Sequence, residues 1–340
     1  ISWLWAGDSY LSCPVTAETV EAAILEEKEK PFAVYLTSPD YLGNLAPVGE
    51  IASVCHRYGV PLLVDNAHGA YLKFLPRSLH PMDLGADLCS DSAHKTLPVL
   101  TGGAYLHMGP DWTAEEAKAA MALFGSTSPS WLILQSLDGA NPLLEHLPGD
   151  IAALAPHIAA LKGALLAHGF ALVGAEPLKI TVHAAKFGYS GEEMAEILER
   201  QGIFCEFADR DFLVCMLTPR NTPEELDRLR AALCAMPRGA RQEMPPIALA
   251  RPKAACTPRQ AAFAPRETIP VENSLGRILA LANVSCPPAV PIVMCGEEID
   301  EAAQEALCRC GIEEVTVIKA SPSGVAAMQQ KVGLARRSRT

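Results

Sequence analysis

No two cysteines in this sequence are spaced CxxC. The one close pair is Cys308-Arg309-Cys310, and no histidine stands at zinc-ligand spacing from it. No metal is expected on this reading. Eleven cysteines at irregular spacing fit free thiols and a reducing compartment, so the cytoplasm is the expected location. A broad basic surface is missing too. The 28 Lys and Arg stand against 39 Asp and Glu, a net charge of −11, which argues against a nucleic-acid partner. The short tail Arg336-Arg337-Ser338-Arg339 reads as a frayed end. No stretch reads as apolar and long enough to span a membrane, so no membrane partner is expected. Repeats and low-complexity segments are absent, and the opening Ile1-Ser2-Trp3 has neither a methionine nor a signal-peptide pattern.

What is present suits a globular chain. The 340 residues are 49% hydrophobic and 20% charged, enough for two or three domains with real cores. A helix is expected after Thr16. "FAVYLTSPD" (Phe32 to Asp40) is a continuous apolar run that reads as a strand covered on both faces. "APVGEIASVCHRYG" has helical spacing, and "VPLLVD", "ADLCSDS" and "GGAYLHMG" read as further strands. Thr113 to Glu116 and Thr222 to Glu225 are capping boxes that open helices. Ile151 to His168 is a long apolar-periodic helix ending at Gly169. The pattern predicts an α/β domain with a mainly parallel sheet, followed by a compact α+β unit.

Chemistry concentrates at the strand ends. Asp65 closes one buried strand, and Ser92, His94 and Lys95 follow another thirty positions on. In an open α/β sheet, ligands gather beyond the carboxyl ends of strands. An aspartate and a lysine so placed suit pyridoxal phosphate. Its aldehyde needs an amine for a Schiff base, and its pyridine nitrogen needs a carboxylate to stay protonated. Ser92 and His94 would then hold the phosphate. By spacing alone the plainer reading, an ion pair between Asp65 and Lys95, is favoured.

At these residues the sequence resembles the pyridoxal-phosphate-dependent ornithine/lysine/arginine decarboxylases. "VDNAHGA" with "SDSAHKTLPVLTGGAYLH" resembles the family's Asp-Glu-Ala-His-Gly-Ala-His and Ser-Thr-His-Lys-Thr-Leu. "GSTSPSWLILQSLDGA" (Gly125 to Ala140) resembles its Ser-Thr-Ser-Pro-Ser-Tyr segment, with Trp131 for Tyr. "TSPDYLG" resembles its Ser-Pro-Thr-Tyr turn. "APRETIPVENSLGRI" with "CPPAVPIVMCGEEI" resembles its C-terminal domain. The resemblance runs in order along nearly the whole chain. It implies a fold type I large domain over 1–150, N-terminally incomplete, a small α+β domain over 151–237, a connection over 238–270 and a C-terminal decarboxylase domain over 271–340.

The same resemblance implies roles. Lys95 would carry the cofactor aldehyde, Asp65 would pair with the pyridine nitrogen, and Ala67 would lie against the ring. Ser92 and His94 would contact the phosphate. Thr127 would reach it from the second subunit of a homodimer or a higher homo-oligomer. Glu297 would meet the distal group of a basic amino acid, and Lys95, His94 or His68 would return a proton to Cα. The activity implied is decarboxylation of arginine, lysine or ornithine to the polyamine-type amine. Plainer roles stand beside these. His68 orders the turn after its strand, Ser126 and Thr127 cap the next helix, Glu297 is a solvated carboxylate, and Tyr41 and Trp131 pack. The family's Tyr-Pro-Pro-Gly becomes Cys286-Pro287-Pro288-Ala289, and its Pro-Gly-Glu becomes Cys295-Gly296-Glu297, so substrate choice is open. Asn66 in place of Glu reads as a minor change. The rival readings are a pyridoxal enzyme of another type, such as an aminotransferase or aldolase, and a non-catalytic relative.

Overall fold

The structure is a computed structural model that describes residue 4, residue 12 and residues 14–126, 128–240, 252–281 and 292–319. These form two compact units, Leu4 with residues 14–240 and Ser12 with residues 252–319, each described by itself.

The first unit opens with the helix Ala17–Glu26. The Thr16 side chain accepts the Thr19 N–H at its start, and extended backbone at Glu27 stops it. A sheet follows, built of β1 (Val34–Thr37), β2 (Leu62–Asp65), β3 (Leu88–Asp91) and β4 (Tyr105–Met108), in that order. The first three strands are parallel and β4 is antiparallel. Between β1 and β2 the helix Val48–Arg57 lays Val48, Ile51, Ala52 and Cys55 on Leu36, Leu62 and Val64. Each such aliphatic side chain is worth about 1.5–3 kcal/mol when removed from water. Among the described residues β1 is not covered on both faces as expected: it lies at the edge of the sheet, Leu36 is buried in the core with Val34 packed against it, and Phe32 and Tyr35 are 84% and 63% exposed. A continuous apolar run does not say which of its faces will find a partner.

A second sheet takes β5 (Leu172–Val173), β6 (Lys179–His183), β7 (Phe207–Ala208) and β8 (Phe212–Met216) in the order β5-β6-β8-β7, all antiparallel. Helices Leu147–His168, Gly191–Glu199 and Pro223–Cys234 join it in one core, which also takes in Ala70, Tyr71, Leu72, Ala93 and Leu97 of the first sheet's connections. The Ser190 and Thr222 side chains cap two of these helices in capping boxes.

Leu147–His168 corrects the sequence reading about long apolar stretches. It has 22 residues and a window of mean hydropathy 1.4, enough by length and composition to cross a bilayer. One stripe of it, Ile151, Leu154, Ile158, Leu161 and Leu165, is buried in this core, the placement of a core helix.

In the second unit, β9 (Arg266–Pro270), β10 (Leu279–Leu281) and β11 (Glu314–Ile318) pair antiparallel in the order β10-β11-β9. The helix Glu301–Arg309, capped by Asp300, buries Ala303, Ala306 and Leu307 with Val315 and Val317.

Candidate active site

The parallel strands β2 and β3 deliver the chemistry at their carboxyl ends. β3 runs into Ser92, the cap of a single helical turn, Ala93–Thr96. Ala93 and Leu97 are anchored in the core. The half-buried Lys95 between them is thereby held at the strand end. Its Nζ lies 3.3 Å from Nε2 of His68, and among the described residues it makes no ion pair with Asp65. The strand-end salt bridge is therefore not what this lysine is for.

His68 is buried, with its ring edge-on to Tyr41 at 5.0 Å. Burial, then the charges of Lys179 and Lys95, lower its pKa to about 3, so the ring is neutral at pH 7. Nε2 accepts from Lys95, so the ring proton sits on Nδ1. That nitrogen is a buried donor with no partner among the described residues.

Asp65 ends β2. Its Oδ1 accepts the Ala67 N–H at 3.1 Å, and its Oδ2 accepts the Tyr35 hydroxyl at 3.2 Å. His94 is fixed from two directions by Gly103, whose carbonyl accepts its backbone N–H at 3.2 Å and lies 2.9 Å from Nδ1. Nε2 of His94 and the Ser92 hydroxyl have no hydrogen-bond partner among the described residues. The sequence motif thus gathers Lys95, His68, His94 and Ser92 around one turn, with Asp65 and Ala67 on the neighbouring strand end.

Other expectations fall differently. Thr127 lies outside the described residues, as do Cys286, Pro287, Pro288 and Ala289. Ser126 accepts the Ser128 N–H at 3.0 Å, and the cap of the helix Trp131–Leu144 is Ser130. Trp131 is 78% exposed rather than packed. Glu297 is in the second unit, where Oε2 accepts the Met294 N–H at 2.8 Å. Gly296 before it has φ +91°, and a Cβ there would collide with the Cys256 carbonyl.

Sequence reasoning missed a polar hub beneath the site. The buried Asp91 carboxylate accepts from Nδ2 of Asn66 at 2.7 Å, Nε2 of His80 at 3.0 Å and Nε2 of His107 at 2.9 Å. Asn66 is therefore not a minor change. A glutamate there would press a second carboxylate on Asp91, where the amide donates. The Cys89 thiol, 3.5 Å from Asp91 Oδ1, completes a His-Cys-Asp group. It is not arranged for a metal, because Nδ1 of His80 accepts the Met82 N–H at 3.3 Å, which puts the ring proton on Nε2. A second buried group also escaped notice. Glu176 pairs with Lys179 at 2.9 Å and accepts from Tyr71 at 3.2 Å, while the Lys179 Nζ reaches the Tyr41 carbonyl at 3.5 Å. Burial raises the Glu176 pKa, against the pull of Lys179 and Tyr71. The ring that covers His68 is thus tied to the second sheet. No spacing rule marks either group, because the partners come from separate segments.

A carboxylate, a lysine amine, a free hydroxyl, a free imidazole nitrogen and an orphaned buried N–H around two parallel strand ends fit an aldehyde-bearing pyridine phosphate. With the mixed sheet that carries them, they place the chain among α/β folds whose ligands gather at parallel strand ends. Comparison with known proteins narrows it. The family model "Orn/Lys/Arg decarboxylase, major domain" matches residues 10–154. The uncharacterized protein YaaO of Bacillus subtilis (strain 168) is 31% identical over 329 residues, which cover 89% of this chain and 67% of that one. An arginine decarboxylase of the same strain is 29% identical over 319 residues, covering 86% and 64%. The Francisella novicida lysine decarboxylase LdcF superposes with a TM-score of 0.75 at 16% identity, covering 94% of this chain and 63% of that one. The chain belongs to the Orn/Lys/Arg decarboxylase family, and it spans about two thirds of the length of these relatives.

Proposed function

We propose that this chain carries the catalytic centre of a decarboxylase acting on a basic amino acid, with arginine the first substrate to test because that is the substrate named for several relatives. The observation that carries this reading is Lys95 Nζ at a strand end beside a neutral, buried His68, with Asp65 on the adjacent strand end. Pyridoxal phosphate, held through its aldehyde at Lys95, supplies an electron sink for the bond to the departing carboxylate. The protein's own residues do the rest. Asp65 keeps the ring nitrogen protonated, and Ala67 lies against the ring. Ser92 and Nε2 of His94 hold the phosphate, joined by Thr127 of a second copy. Nε2 of His68 accepts a hydrogen bond from the Lys95 amine and orients it, and Lys95 passes a proton to Cα. Glu297 is the proposed contact for the substrate's distal group.

A homodimer is part of this proposal. Leu123, Phe124, Trp131 and Leu132 flank the Ser126 turn and are exposed, an apolar patch suited to a second copy. The nine described cysteines are all free, which supports a cytoplasmic location.

The test is release of labelled carbon dioxide from carboxyl-labelled arginine, lysine and ornithine, with borohydride reduction of the loaded protein. The expected results are release from one of the three and a pyridoxyl label on the peptide holding His94-Lys95-Thr96. Recovery of the label on Lys73 or Lys118, or an amino-group transfer product instead of carbon dioxide, would refute the reading.

A further inference from the structure

Tyr35 sits on the edge strand β1 with most of its surface exposed, yet its hydroxyl reaches Asp65. The register explains how. Tyr35 is paired with Leu63 and Thr37 with Asp65, so Tyr35 and Asp65 share a face of the sheet on a diagonal that a long side chain can span. Oδ1 of Asp65 is occupied by the Ala67 N–H. Tyr35 is the one side chain among the described residues that donates to this carboxylate.

We propose that Tyr35 is a positioning residue for Asp65, holding Oδ2 so that the carboxylate keeps one orientation toward the cofactor's pyridine nitrogen and the proton stays on the ring. This rests on the reading of Asp65 as the pyridine partner. A hydrogen bond to the charged form of an acid stabilises that form. The phenol does not compete for the proton. Shielding of the hydroxyl end, with the Asp65 charge and hydrogen bond, pushes its pKa up to about 12. Tyr35 therefore stays a donor at neutral pH.

The experiment compares the wild-type chain, Tyr35→Phe and Asp65→Asn, each loaded with pyridoxal phosphate labelled with ¹⁵N at the ring. The replacement at Tyr35 removes one oxygen from an exposed residue, so circular dichroism and the thermal midpoint should match the wild type. The ¹⁵N signal should move toward that of an unprotonated ring in Tyr35→Phe, part of the way to its position in Asp65→Asn. The turnover number should fall about tenfold with KM unchanged, the scale of one lost hydrogen bond to a charge. A ring signal in Tyr35→Phe equal to the wild type, with Asp65→Asn shifted, would overturn the role of Tyr35 and leave Asp65 standing. Equal signals in all three proteins, or a wild-type chain that takes up no cofactor, would overturn both.

Discussion

His68 makes stability depend on pH in a way that can be isolated. Its pKa is near 6.5 in an unfolded chain and about 3 in the fold, lowered by burial and then by Lys179 and Lys95. Between those values the unfolded chain binds a proton that the folded chain refuses. Stability from this group is therefore complete above about pH 7 and is lost as pH falls through 6.5 toward 3. At pH 5 the solution lies 1.5 units below the unfolded value, and at about 1.36 kcal/mol per unit the loss is about 2 kcal/mol. The perturbation is His68→Asn, which keeps a polar side chain and removes the titration. The assay is urea unfolding of both cofactor-free proteins at pH 8 and pH 5. The wild type should lose about 2 kcal/mol more than the variant between the two. Equal losses would show that His68 is not held neutral by its surroundings, and the reading of its Nε2 as the hydrogen-bond acceptor that orients Lys95 would fall with that.

Asp65→Asn should retain part of the cofactor affinity and lose turnover by roughly a hundredfold or more, the scale of one electrostatic stabiliser removed; near-normal turnover would count against its role. Asp91→Asn sets an amide N–H against the protonated Nε2 of His80 and should cost about 1–3 kcal/mol, read as a lower urea midpoint. An unchanged midpoint would mean that the hub does not hold the strand ends. Leu161→Ala opens a cavity where the long helix meets the second sheet and should cost about 2–5 kcal/mol. A loss within error would remove that helix from the core.

Some of this was legible because it depends on local rules. Thr113 with Glu116, and Thr222 with Glu225, announce helix starts, since a side chain can satisfy a backbone N–H only across that fixed spacing. Gly169 closes the long helix with φ +102°, as a residue without Cβ can. The Asp65 to His68 and Ser92 to Lys95 stretches stand out at strand ends that the apolar runs before them announce, but their proposed roles came from resemblance to the family's motifs, since spacing alone favours an ion pair. The exposure of the β1 run among the described residues was not legible for the complementary reason. Its composition reports affinity for a core, while exposure depends on which elements arrive beside it.

What only the tertiary structure decided is the company each site residue keeps. That Lys95 meets His68 rather than Asp65 depends on the helical turn pinned by Ala93 and Leu97. That Tyr35 reaches Asp65 depends on strand register, and the Asp91 hub draws on Asn66, His80 and His107 from three separate segments. Sequence spacing determines the directions in which side chains leave a strand or helix. Hydrogen bonds between distant segments form only after the core has chosen the register and the connections, and those bonds set the charge and the proton position on which the chemistry depends.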